Sequence, residues 1–177
     1  MTVFLIILSC VLWACSLLAL AGRPALGPAL SYLGLLTLSF TDTTVGEMIN
    51  NTILLGWLCM TVIVMFATYL QPVKVISQTR GMWYMIVGAL VGMMVGLLGF
   101  TFVSSLSLLY SIMIIATVVG IFLGFLLYSR TPDGEPVAIG SGHFFQYLLA
   151  KGFPTAITVM QIGVALVLVI AVNNTNV

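Results

Sequence analysis

The chain has 177 residues, of which 62% are hydrophobic and 5% charged, with a formal net charge of +1. A soluble domain carries roughly 25% charged residues, and a chain this short folded in water still exposes much of its surface, so a water-soluble globule is excluded and lipid is the solvent that fits. The small net charge and the lack of any basic run also exclude a nucleic-acid-binding module.

A membrane-spanning helix needs about 20 apolar residues. The first such run is 3–21. No basic residue precedes it and Arg23 follows it, the order of a retained helix rather than a cleaved leader. A second run, 25–40, is short and opens on Pro24, Gly27 and Pro28, residues tolerated at a helix start. Thr44 and Glu47 have the spacing of a capping box that starts the next helix early, with Asp42 beside that N-terminus. The third run, 52–70, ends at Gln71-Pro72, and Asn50 and Asn51 read as helix-start residues. Asn50-Asn-Thr52 and Asn173-Asn-Thr175 are also formal glycosylation sequons.

The fourth and fifth runs, 82–100 and 105–128, are separated only by a patch at Ser104-Ser105, and a sixth covers 154–172. Between the last two lies the one substantial loop, 129–152. It opens on the turn signature Thr131-Pro132-Asp133-Gly134. It continues through Gly140-Ser141-Gly142 into 143–151, which has the make-up of a short interfacial helix ending at Gly152.

These runs predict an all-α, polytopic transmembrane bundle forming a single domain. Charge placement chooses six spans with both termini outside. In that arrangement Arg23, Lys74, Arg80, Arg130 and Lys151 share one side, whereas without the second crossing they divide four to one. Basic residues in short loops mark the cytoplasmic side. Tyr69, Trp83, Tyr84, Tyr128 and Phe153 then fall near that interface, where aromatic rings are favoured. The localisation expected is a multi-pass protein of an inner or plasma membrane.

No ionisable residue falls within a predicted span, which argues against proton-coupled transport and against intramembrane protease chemistry. The cysteines, Cys10, Cys15 and Cys59, sit in apolar runs and form no ligand cluster with His143, the sole histidine, so no metal or other cofactor is expected. Ser141 and His143 are the only nucleophile–base pair in the loop. Two positions apart and without a third orienting group, they make a weak site, and an interfacial histidine is the plainer reading.

Glycine carries the strongest pattern. Gly88, Gly92 and Gly96 recur every four residues, as do Gly120 and Gly124, so each set shares a helix face that another backbone can approach closely. The simplest reading packs the fourth and fifth spans on each other; a pore or lipid groove is the alternative. Gln161, Thr158, Thr61 and Ser31 are polar groups within spans that each need a partner, either another helix or a ligand. Gln161 has the largest bonding capacity of them.

Three functional readings follow. The first is a non-catalytic accessory or structural subunit that packs against another membrane protein, or against itself, through glycine-rich faces. The second is binding or transport of a small neutral or lipophilic molecule between the helices, with Gln161 as its anchor. The third is a membrane enzyme using the 129–152 loop.

Overall fold

The computed structural model describes residues 2–71, 81–99, 106–131 and 142–175, and among these the regular structure is entirely helical. The helices are α1 (Thr2–Gly22), α2 (Leu26–Ser39), α3 (Thr44–Met48), α4 (Asn51–Tyr69), α5 (Met82–Leu98), α6 (Leu106–Ser129), α7 (Gly142–Tyr147) and α8 (Phe153–Thr175). Helices satisfy their own backbone groups, which an apolar solvent cannot do. Four stretches are long and apolar enough to cross a membrane: Thr2–Gly22, Asn51–Tyr69, Leu108–Ser129 and Phe145–Val172. α2 and α5 are apolar but shorter, at 14 and 17 residues, or about 21 and 26 Å at the usual rise. The chain is thus a helical bundle compatible with an integral membrane protein.

α8 is the hub. The stretch containing it is 67% buried, against 17% for those of α1 and α4, which identifies it as the helix the others surround. α1 and α2 form one hairpin and α5 and α6 another, and both hairpins pack on α8 together with α4. The α1–α2 hairpin is antiparallel along most of its length: Leu20 lies against Gly27, Trp13 against Gly34, and the Ser9 and Thr37 hydroxyls are 2.7 Å apart. Methionines fill the centre, where Met93 and Met113 close over the bare backbone of Gly163. An unbranched thioether adapts well to such an irregular gap.

Two local features depart from the sequence expectation. The N-cap of α3 is Thr43, not Thr44. Thr43 is extended, at φ −124° and ψ 153°, and its hydroxyl accepts the Gly46 N–H at 3.2 Å, while Thr44 is already helical. The two threonines are chemically equal as caps, and backbone conformation chooses between them. Asn50 does cap α4, its Oδ1 accepting the Ile53 N–H at 2.9 Å.

The second departure is that Gly152 does not end a helix. α7 runs into a π-helical turn, Leu148–Gly152, and that turn into α8 without a break. Pro154 has no N–H, and its ring would crowd the Ala150 carbonyl in a regular α-helix. The chain widens just before it, and the Phe153 N–H reaches back five residues to the Leu148 carbonyl. Residues 143–151 and 154–172, expected as separate elements, are therefore one continuous rod. The Thr131–Gly134 turn beyond Thr131 and the Gly140-Ser141 stretch lie outside the described residues.

Asn50→Ala removes the α4 cap and is expected to cost about 1 kcal/mol. Reversible unfolding in mixed micelles measures it, and Asn50→Asp, which keeps the acceptor, is expected to restore most of the loss.

Candidate functional site

Gln161 is fully buried on α8. Its side-chain carbonyl accepts from the Ser31 hydroxyl of α2, and its amide nitrogen donates to the Thr61 hydroxyl of α4 at 2.8 Å. The orientation of the amide is fixed by bookkeeping of protons. The single Thr61 proton goes to the Trp57 carbonyl at 2.7 Å, so Thr61 has only a lone pair to offer Gln161, and the NH₂ end must face it. Ser31 can donate either to Gln161 or to the Pro28 carbonyl, 3.1 Å away. One side chain thereby ties three helices that are far apart in sequence.

Of the polar residues singled out in the sequence, the structure brings Gln161, Ser31 and Thr61 into this one network. Thr158 sits one turn away, facing the bare backbone of Gly27, and its buried hydroxyl has no hydrogen-bond partner among the described residues. None of the four lines either of the cavities described below.

The polar face of α8 extends downward from Gln161 through Thr158 and Thr155 to Lys151, at spacings of three and four residues that keep them on one side of the helix. Thr155 returns its hydroxyl to the Lys151 carbonyl at 2.8 Å. Lys151 corrects the sequence reading. It was expected in a loop, and no ionisable group was expected within a span; it lies instead in the π-helical turn, inside the apolar stretch Phe145–Val172, and is 1% exposed. Its ammonium has no hydrogen-bond partner among the described residues. It stands 5.0 Å from the centroid of the Tyr147 ring, which packs in turn on Phe125 at 5.5 Å. The signal in the sequence was the polar stripe itself, which places Lys151 in line with Gln161.

The glycines form a second feature. A Cβ on Gly88 would collide with the Gly120 carbonyl, one on Gly92 with the Ala116 carbonyl, one on Gly120 with the Gly88 carbonyl and one on Gly124 with the Tyr84 carbonyl. At Gly96 it would stand 2.7 Å from the Met113 Cα. α5 and α6 are therefore antiparallel and in backbone contact through all five positions. Gly81, at φ +80°, opens α5 in the left-handed region and lies under the Tyr128 ring.

On the outer side of this seam the side chains cannot close over the two backbones. Val87, Val91 and Val95 form one wall, and Val119, Leu123 and Leu127 the other, of a groove of about 590 Å³ with Trp83 and Tyr84 at one end. A far smaller apolar pocket lies between Met85, Phe125 and Tyr147.

His143 lies in α7, but its side chain, like the whole of Ser141, is outside the described residues. The three cysteines are free and exposed on the bundle surface. The chain matches no protein-family model, no curated protein and no solved structure.

Gly88→Ala is expected to push α5 from α6 and destabilise the protein by about 1–3 kcal/mol. Gly56→Ala, where a Cβ meets nothing within 4 Å, is the control and is expected to be neutral or slightly stabilising. Gln161→Leu removes both interhelical bonds, leaving the Ser31 and Thr61 hydroxyls only the carbonyls of their own helices, and is expected to cost about 0.6–2 kcal/mol, read by the same unfolding assay.

Proposed function

We propose that this is a non-catalytic integral membrane protein that crosses the bilayer six times, with both termini on the non-cytoplasmic side, and that serves as an accessory subunit by docking an apolar helix in the α5–α6 groove. The groove is the observation that carries this reading. Its walls are largely valine, whose branched side chains are stiff, so a partner helix meets a surface already formed and little ordering is needed. Association within lipid depends on such close packing, since lipid tails are as apolar as the helices. The glycines themselves are occupied in the seam between α5 and α6, so the docking surface is the groove they create rather than the glycine faces. Gln161 is committed to Ser31 and Thr61, which leaves the neutral-ligand reading without its anchor.

Six crossings are supported by the depth that the two short helices cover. α2 runs antiparallel to α1 from Leu20–Gly27 to Ser9–Thr37, and α5 runs along α6 from Tyr84–Gly124 to Gly96–Met113. Each follows a long helix through most of its length. The shared side of the loop residues Arg23, Lys74, Arg80 and Arg130 supports the same count.

Two measurements test the proposal. In a cysteine-free background, an impermeant maleimide applied to intact cells is expected to label Asn174→Cys at once and Arg130→Cys only after permeabilisation; the reverse pattern would invert the topology. For docking, native mass measurement in mild detergent is expected to find the wild type bound to a second copy or to another membrane protein, and Val91→Trp with Val119→Trp to release it as a folded monomer. A wild type that is monomeric and carries lipid alone would turn the groove into an acyl-chain site and remove the accessory reading.

A further inference from the structure

Lys151 has the environment of a binding group rather than of a structural one. A buried cation is strongly unfavourable unless paired, and among the described residues it meets only a ring face, the π-system of Tyr147. The other acids of the described residues cannot serve it. α2 runs beside α8 in the same direction, with Gly27 at Thr158 and Ser31 at Gln161, so Asp42 and Glu47, which follow α2, lie at the opposite end of the bundle, and both are exposed.

Depth identifies the ligand. The stretch Phe145–Val172 has 28 residues, or about 42 Å of helix, which matches the full bilayer of about 40–45 Å including headgroups rather than its hydrocarbon core of about 30 Å. Lys151 is six residues inside Phe145, about 9 Å along the axis, which sets its backbone a few Å within the hydrocarbon edge. Its side chain reaches back to the Tyr147 ring, one turn nearer the boundary, the direction in which a lysine carries its ammonium toward the phosphate level. A lysine is a point-charge partner for phosphate. From this we infer that Lys151 holds a phosphate-type oxyanion at the membrane boundary, beneath the Tyr147 ring. The inference rests on the α7–α8 rod crossing the bilayer and is independent of what fills the α5–α6 groove.

The test uses the full chain in phosphatidylcholine nanodiscs, with phosphatidylglycerol or inorganic phosphate added separately. A phosphatidylglycerol preference of at least tenfold is expected in the wild type, seen as a raised melting temperature and as one lipid retained in native mass spectra. Lys151→Met is expected to abolish that preference and Lys151→Arg to keep it. If inorganic phosphate alone reproduces the stabilisation, the site takes the free ion, and the inference stands with that source. A wild type indifferent to both additions overturns it, as does a Lys151→Met variant that responds like the wild type. Should Lys151→Met not fold, Lys151→Gln carries the same comparison. The maleimide topology assay reports separately on the crossing, so failure of the rod to span the membrane is distinguishable from failure of the site.

Discussion

In an apolar solvent, the one that these four long helices suit, a buried polar group needs a partner within the chain, and among the described residues the buried polar side-chain atoms other than those of Tyr110, Lys151 and Thr158 have one. The backbone meets this need by being helical. The hydroxyls meet it locally. Ser9, Thr61, Thr68, Thr117 and Thr155 each donate to the carbonyl four residues earlier, and Ser16, Ser31 and Thr37 can donate to the one three residues earlier. Such back-bonding needs no neighbour, so a serine or threonine can sit anywhere along a buried helix. A glutamine amide has too many donors and acceptors for this solution, which is why Gln161 reaches across to two other helices and becomes the tie at the centre of the bundle.

The α5–α6 pair answers a different aspect of the same solvent. With no water to expel, two helices gain by packing surface closely rather than by hiding it. Glycine at every fourth position lets the backbones meet, and dispersion contacts along the seam replace what a hydrophobic core provides elsewhere. The walls of the outer groove are the unavoidable counterpart: side chains excluded from the seam stand on either side of it.

Much of the architecture was legible because lipid imposes a simple code. Runs of apolar residues locate the long helices, and the spacing of Gly88, Gly92 and Gly96 identifies a common face without saying what that face meets. Other features had no local signature. Thr43 and Thr44 are equal candidates for one cap, and only the backbone angle separates them. Gln161 lies 130 and 100 residues from its partners, a separation that no periodicity encodes. The length of α2 alone does not decide whether it crosses. Lys151 was misplaced for a physical reason: a charge next to glycine and proline reads as the end of a span, yet a π-helical turn carries the helix through all three residues.

That turn has a consequence for the phase of the rod. A π-helical turn holds one residue more than an α-turn, and a residue in an α-helix accounts for about 100° of rotation. The face that α7 presents is therefore rotated against the face of α8, although the helix between them is unbroken. Deleting a single residue between Leu148 and Gly152 would restore the phase while leaving composition and hydropathy almost untouched. Tyr147 would swing away from Phe125, and the ring that now covers Lys151 would turn to another side of the bundle. One residue's worth of winding thus decides whether the buried charge is roofed.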